Sequence, residues 1–270
     1  MNSFLIHQDF KIINKDFQVI VIFINYIYNI LMSAELMGIE IDNYTFEEGV
    51  NKGLELMHSG SVAQVVTINP EMYKESEQNE EFKQIIHEAE MVIPDGVGIK
   101  LGLLLKGKKA ARIAGIDFAR KLLEECAKNG DKVAIIGAKE EIVAKAVENL
   151  NKEIKGLNIV YYHNGYFNND NEIYDRLKET RPNLVLAALG SPKQEYFIYN
   201  AKKILSPCLM VGIGGSLDVW SGVVKRAPKI WRKLGLEWFY RTVTQPERFK
   251  RIFPTLPLFL LKVITYKKDK

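Results

Sequence analysis

Cysteine is nearly absent: Cys126 and Cys208 are the only two in 270 residues. That scarcity excludes a disulfide-stapled scaffold, and no Cys/His spacing of the zinc-binding kind occurs. Cys126 falls in a helical pattern and Cys208 in an apolar run, so both read as small buried residues of a reducing compartment. Histidine is also sparse, and His7, His58, His87 and His163 are scattered along the chain. No G-x-G-x-x-G or Walker loop is present, which argues against a Rossmann dehydrogenase. Long apolar runs are missing from the N-terminal region. Val19–Ile24 and Ile27–Leu31 are interrupted by Asn25, Tyr26, Tyr28 and Asn29, and together fall short of the roughly 20 residues a bilayer span needs. No small-residue cleavage site follows them, and Asp9 and Asp16 dilute any basic leader. Residues 1–31 therefore read as an extension outside the working domain, with translation starting at Met32. A weak membrane anchor is the alternative.

What is present is a soluble-type composition, 47% hydrophobic and 26% charged, with an uneven charge. The net charge is +4, yet residues 225–270 hold thirteen Lys/Arg against three Asp/Glu, or +10, so the preceding 224 residues sum to 4 − 10 = −6. A basic tail on an acidic body points to an anionic partner.

Between residues 32 and 224 strand and helix patterns alternate. Strands are expected at Leu36–Ile41, Val62–Ile68, Met91–Ile93, Val133–Gly137, Leu157–Tyr162, Leu184–Leu189 and Cys208–Ile213, with helices between them. Thr45 with Glu48 forms a capping-box signature for the first helix. This order predicts an α/β fold, a Rossmann-like, mostly parallel sheet with helices on both faces. Residues 225–270 follow as a small appendage of short helices broken by Pro228, Pro246, Pro254 and Pro257.

In such sheets the loops at strand C-termini line the ligand crevice. Val62–Ile68 ends in Asn69-Pro70 and Met91–Ile93 ends in Pro94-Asp95-Gly96. Thr67, Asn69 and Asp95 are thus expected to share one cleft. A carboxylate at a buried strand end has its pKa raised by desolvation, which suits general-base work. Taken alone, Asp95 reads first as a helix N-cap, a role that does not exclude the other. Glycine turns follow three other strands: Gly137-Ala138-Lys139, Gly190-Ser191-Pro192 and Gly212-Ile213-Gly214-Gly215-Ser216. Within a doubly wound frame, Gly137, Gly214 and Gly215 become candidates for nucleotide contact through backbone N–H groups. Asp218 becomes a candidate for ribose. Each is otherwise ordinary turn chemistry. No D-x-D pair is present to hold a metal diphosphate, so no metal or other cofactor is expected. Charge on a leaving diphosphate would then be met by arginines or backbone donors. Arg241, Arg248 and Arg251 are candidates, because the planar guanidinium suits phosphate oxygens. Aromatic and basic residues interleave around them, and the apolar run Leu256–Ile264 favours a membrane surface over nucleic acid.

T-I-N-P, P-D-G-V-G, R-I-A-G-I-D, G-S-P-K-Q-E, G-I-G-G-S-L-D-V-W-S-G, K-R-A-P and L-E-W-F-Y-R-T-V-T-Q-P-E-R-F-K-R occur in this order. The set resembles the WecG/TagA/CpsF glycosyltransferase family, nearest its wall-teichoic-acid branch, from about Leu36 to the C-terminus. The resemblance implies inverting, metal-independent transfer of N-acetylmannosamine from UDP-ManNAc. The acceptor would be the 4-hydroxyl of N-acetylglucosamine on undecaprenyl diphosphate. It implies Asp95 as base and Thr67 as its polar partner. It also implies Gln194, Arg241, Arg248 and Arg251 as substrate ligands, on a protein held peripherally at the cytoplasmic membrane face. Another UDP-sugar donor, such as UDP-ManNAcA or UDP-glucose, is the alternative within the family. A basic nucleic-acid- or membrane-binding module is the alternative outside it. Homo-oligomer formation stays open.

Overall fold

The computed structural model describes residues 33–108, 111–233, 236–244 and 246–266, with the side chains of 233, 238, 241, 242 and 244–253 outside the description. The expectations for the Met32 start and for residues 19–31 lie outside the described residues.

The described residues begin differently from the single strand expected over Leu36–Ile41. They open with an antiparallel hairpin, β1 (Ser33–Leu36) and β2 (Ile39–Asp42). Met37 and Gly38 both adopt left-handed backbone, φ 47° and 86°, and so make a two-residue turn. Leu36, Ile39 and Ile41 are nonetheless all buried. Helix α1 (Phe46–Met57) starts at the expected capping box: the Glu48 amide donates to Thr45 Oγ1 at 3.3 Å and the Thr45 amide to Glu48 Oε2 at 2.8 Å.

β3 (Val62–Ile68) is followed by α2 (Pro70–Gln78), α3 (Glu80–His87), β4 (Met91–Pro94), α4 (Gly96–Leu105) and α5 (Gly115–Asn129). Next come β5 (Lys132–Gly137), α6 (Glu140–Glu153), β6 (Asn158–His163), α7 (Asp170–Thr180), β7 (Leu184–Ala188), α8 (Lys193–Ala201), β8 (Cys208–Gly212) and α9 (Ser216–Trp220). Six parallel strands form one sheet in the order β4-β3-β8-β7-β5-β6. Every residue of β3, β4, β7 and β8 is buried, as strands covered on both faces require. Ala63 and Val65 pack into one face with Phe118, Leu122 and Val143 of α5 and α6. Val66 and Ile68 pack into the other with the hairpin, α2 and α3. The chain leaves β3 for β4 on one side and returns to β8 on the other. Their following loops diverge, which opens a crevice at this end of the sheet.

The C-terminal segment holds α10 (Lys229–Lys233), α11 (Glu237–Thr244) and α12 (Pro246–Thr265). Pro254 and Pro257 were expected to break this helix, yet it runs through both. Its apolar face explains the tolerance. Phe259 and Val263, 4% and 0% exposed, pack with Leu36, Ile99 and Leu103. Phe259 also meets the Tyr73 ring edge-on at 5.4 Å. Burying two such side chains contributes about 1.5–3 kcal/mol each, comparable to the roughly 3 kcal/mol cost of an interior proline.

Candidate active site

A cleft of about 420 Å³ opens at the C-terminal ends of β3, β4, β7 and β8. Thr67, Asn69, Asp95, Gln194, Gly214 and Gly215 all line it. Residues up to 170 positions apart in the chain, from Thr67 to Glu237, thus converge on one hollow (237 − 67 = 170).

Asp95 follows β4, and its amide donates to the Ile68 carbonyl at 2.9 Å. Its backbone stands at the N-cap of α4 with φ −94° and ψ 140°, but its side chain makes no capping hydrogen bond. The Gly96 and Gly115 amides instead favour the charged form of its carboxyl. Burial raises its pKa; the positive charge of Arg112 and the two amides oppose that rise, while Glu237 adds to it. The local sequence builds this arrangement. Gly96 sits at φ 80°, a left-handed turn open to glycine. At Gly98 a Cβ would run into the Pro70 ring and the Leu256 side chain. The second glycine of P-D-G-V-G thus lets α4 close against the proline of T-I-N-P.

Thr67 is 7% exposed, and its hydroxyl donates to the Gly212 carbonyl across the β3–β8 seam at 3.2 Å. Asn69 caps α2, its Oδ1 accepting from Glu71 and Met72 amides at 2.9 and 3.1 Å. Gln194 is a strut inside the wall. Its Oε1 accepts from the Gly214 amide at 3.1 Å and its Nε2 donates to Glu195 Oε1 at 2.7 Å. Because an amide N–H can only donate, the Gly214 bond fixes which way the Gln194 amide faces. Glu195 is 1% exposed, and desolvation pushes its carboxyl up to about 7 despite bonds from Gln194 and Ser191.

Two expected residues stand elsewhere. Gly137 ends β5 with its backbone so close to β7 that a Cβ would run into the Ala188 carbonyl. Its neighbour Ala138 lines a separate hollow with Tyr166 and Lys193. Asp218 lies in the first turn of α9 and is not among the residues lining the cleft. Arg241, Arg248 and Arg251 fall on α11 and α12, but their side chains lie outside the described residues.

Sequence reasoning missed Arg112. It lines the cleft beside Asp95, and its Nη2 donates to Glu237 Oε2 at 3.1 Å. Glu237 also meets Arg226 Nε at 3.5 Å, and Arg226 grips Asp117 with two bonds of 2.6 and 2.7 Å. This alternating chain of charges ties R-I-A-G-I-D to K-R-A-P and to the start of the basic tail. The signal was the arginine opening R-I-A-G-I-D, a motif visible in the sequence but used only for the family resemblance. Among the described residues no three His, Cys, Asp or Glu side chains gather where a metal ion could sit. Nor is any described helix long and apolar enough to cross a membrane.

Residues 34–270 match the model of the Glycosyl transferase WecG/TagA/CpsF family. The N-acetylglucosaminyldiphosphoundecaprenol N-acetyl-beta-D-mannosaminyltransferase of Bacillus spizizenii strain W23 is 34% identical over 205 residues, 76% of this chain and 79% of that one. The protein of the same name from Bacillus subtilis strain 168 is 32% identical over 209 residues, 77% of this chain and 81% of that one.

Proposed function

The chain belongs to the WecG/TagA/CpsF glycosyltransferase family, and from that membership we propose that it transfers N-acetylmannosamine from UDP-N-acetylmannosamine to N-acetylglucosamine carried on undecaprenyl diphosphate. The product would be the β-linked disaccharide that starts a wall-teichoic-acid linkage unit. The observation that carries the chemistry is the half-buried Asp95 carboxylate beside Arg112, in a cleft also lined by Thr67 and Gln194.

The step is a single displacement with inversion. Asp95 takes the proton from the acceptor 4-hydroxyl. That oxygen forms its bond to the anomeric carbon as the bond from this carbon to the UDP oxygen breaks. UDP leaves with the electron pair, and the proton on Asp95 then passes to solvent. General-base help of this kind is worth about 10²–10⁴ in rate. Thr67 orients the reacting centre, and Asn69 and Gln194 shape the sugar pocket. Arg112, with Arg241, Arg248 and Arg251 of the tail, meets the charge developing on the diphosphates. Gly214 and Gly215 serve the nucleotide; Gly137 and Asp218, which do not line the cleft, are assigned no part in it. The protein works peripherally at the cytoplasmic membrane face, where such an acceptor lipid presents its head.

The test is radiolabel transfer from UDP-N-acetylmannosamine to a lipid-diphosphate-linked N-acetylglucosamine, with UDP-glucose and UDP-ManNAcA as competing donors. Preferential transfer from another donor would reassign the sugar. Binding of RNA without any binding of UDP would remove the enzymatic reading.

A further inference from the structure

Helix α4 is apolar almost all round: Lys100 is its single charged residue. One side is covered, with Ile99 and Leu103 buried beside Phe259 and Val263 of α12. The opposite side is open. Val97, Leu101 and Leu104 recur at helical spacing as one stripe, and Leu101 and Leu104 are 37% and 47% exposed. Helices hydrophobic on every side are normally buried on every side. This stripe lines a groove of about 980 Å³ between α4, α5 and the C-terminal segment. The groove is continuous with the catalytic cleft, because Val97, Arg112, Ala114 and Glu237 line both. Asp95 stands at the head of α4, so the stripe leads away from the proposed base for roughly 13 Å, at 1.5 Å per helical residue.

The groove's charge is unbalanced. Its acids are already paired: Asp117 with Arg226, Glu237 with Arg112 and Arg226, and Glu124 with Arg120 and Lys121. Lys100 stands exposed on the rim. Arg232, reaching in from α10, has a buried Nε with no hydrogen-bond partner among the described residues. Unmatched cations beside an apolar stripe complement a ligand with an anionic head and an apolar chain.

We propose that this groove is the acceptor's lipid subsite. Arg232 and Lys100 hold the diphosphate of a polyprenyl diphosphate sugar, and Val97, Leu101 and Leu104 take its first isoprene units. The proposal rests on the glycosyl-transfer reading above. It is tested with the full chain and two soluble acceptors, N-acetylglucosamine diphosphate esterified to a farnesyl chain or to a methyl group. The wild type should show the lower KM for the farnesyl acceptor. Leu104→Glu should raise that KM about tenfold, the loss expected when one or two methylenes lose an apolar contact. It should leave kcat and the KM for the methyl acceptor unchanged. Arg232→Glu should raise KM for both. Calorimetric UDP affinity and Tm should hold in each variant, which shows that the fold and nucleotide site are intact. A farnesyl preference that survives Leu104→Glu would overturn the assignment. So would a defect seen only with vesicle-embedded acceptor, since the stripe would then be a membrane-docking face. Should the wild type transfer to neither acceptor, the reaction assignment fails separately. A photoreactive farnesyl diphosphate then decides the subsite: labelling between residues 97 and 104 supports it, and labelling elsewhere overturns it.

Discussion

At the residue scale, Asp95 is shaped by opposing influences. Burial favours its protonated form, while Arg112 and the Gly96 and Gly115 amides favour the carboxylate. Asp95→Asn should lower turnover by about 10²–10⁴, with UDP affinity and Tm nearly unchanged; an unfolded variant would mark Asp95 as structural. Removing Arg112 takes away a stabilising positive charge, so the Asp95 pKa should rise further. The acid limb of the kcat/KM profile should therefore move to higher pH in Arg112→Ala, and an unmoved limb would separate the two residues. Glu195 gives a stability prediction. Its folded pKa, about 7, lies above the ordinary 4.5. Its contribution is therefore fully present below pH 4.5 and lost as pH rises through about 7. Wild-type Tm should carry a downward component across that window, and Glu195→Gln should flatten it. Differential scanning calorimetry from pH 4 to pH 8 reads both slopes. The placing of Asp95 and Thr67 at the cleft was legible in the sequence because Asp95 follows an apolar run at a turn and Thr67 stands one residue before the end of another. The partners of Asp95 were not, because Arg112 and Glu237 lie 125 positions apart and only the fold joins them.

At the element scale, α4 joins chemistry to packing. Its N-terminus presents Asp95, its inner side seats α12, and its outer side lines the groove. Gly98→Ala should destabilise by about 1–3 kcal/mol through overpacking, since the added methyl meets Pro70 and Leu256. Urea unfolding measures this, and a neutral result would mean that α2 and α4 shift apart freely. Phe259→Ala should cost about 3–5 kcal/mol, because its ring is 4% exposed and packed on Tyr73. The strands from β3 to β8 were legible to within a residue or two because their runs are apolar and turn-bounded. The β1–β2 turn was not, since Met37 carries no left-handed propensity of its own. Nor was the continuity of α12, because local sequence at Pro254 and Pro257 argues for a break that tertiary packing overrides.

For the whole molecule, the charge split governs association. The +10 of residues 225–270 should draw the protein to anionic vesicles, each basic residue near the surface contributing about 1 kcal/mol, with salt weakening the effect. Lys267→Glu should reduce vesicle flotation while sparing turnover on a soluble acceptor; flotation unchanged by removing the tail would point back to residues 19–31. The tail is also packed into the body through Phe259, Val263 and the Arg226 and Glu237 ion pairs. Truncation before Lys225 should therefore abolish transfer and lower Tm together.

The sequence by itself determined the alternation of elements, the residues that end each strand, the charge asymmetry and the family likeness. These depend on local pattern and composition, which need no partner from elsewhere in the chain. Tertiary structure alone decided that Asp95 lies buried within the influence of Arg112, Glu237 and the Gly115 amide. It also decided that Gln194 braces Gly214 from within the wall, and that one side of α4 remains uncovered beside the cleft. Each of those outcomes depends on which distant groups compete for the same hydrogen bond, charge or apolar surface, and that competition exists only once the chain is folded.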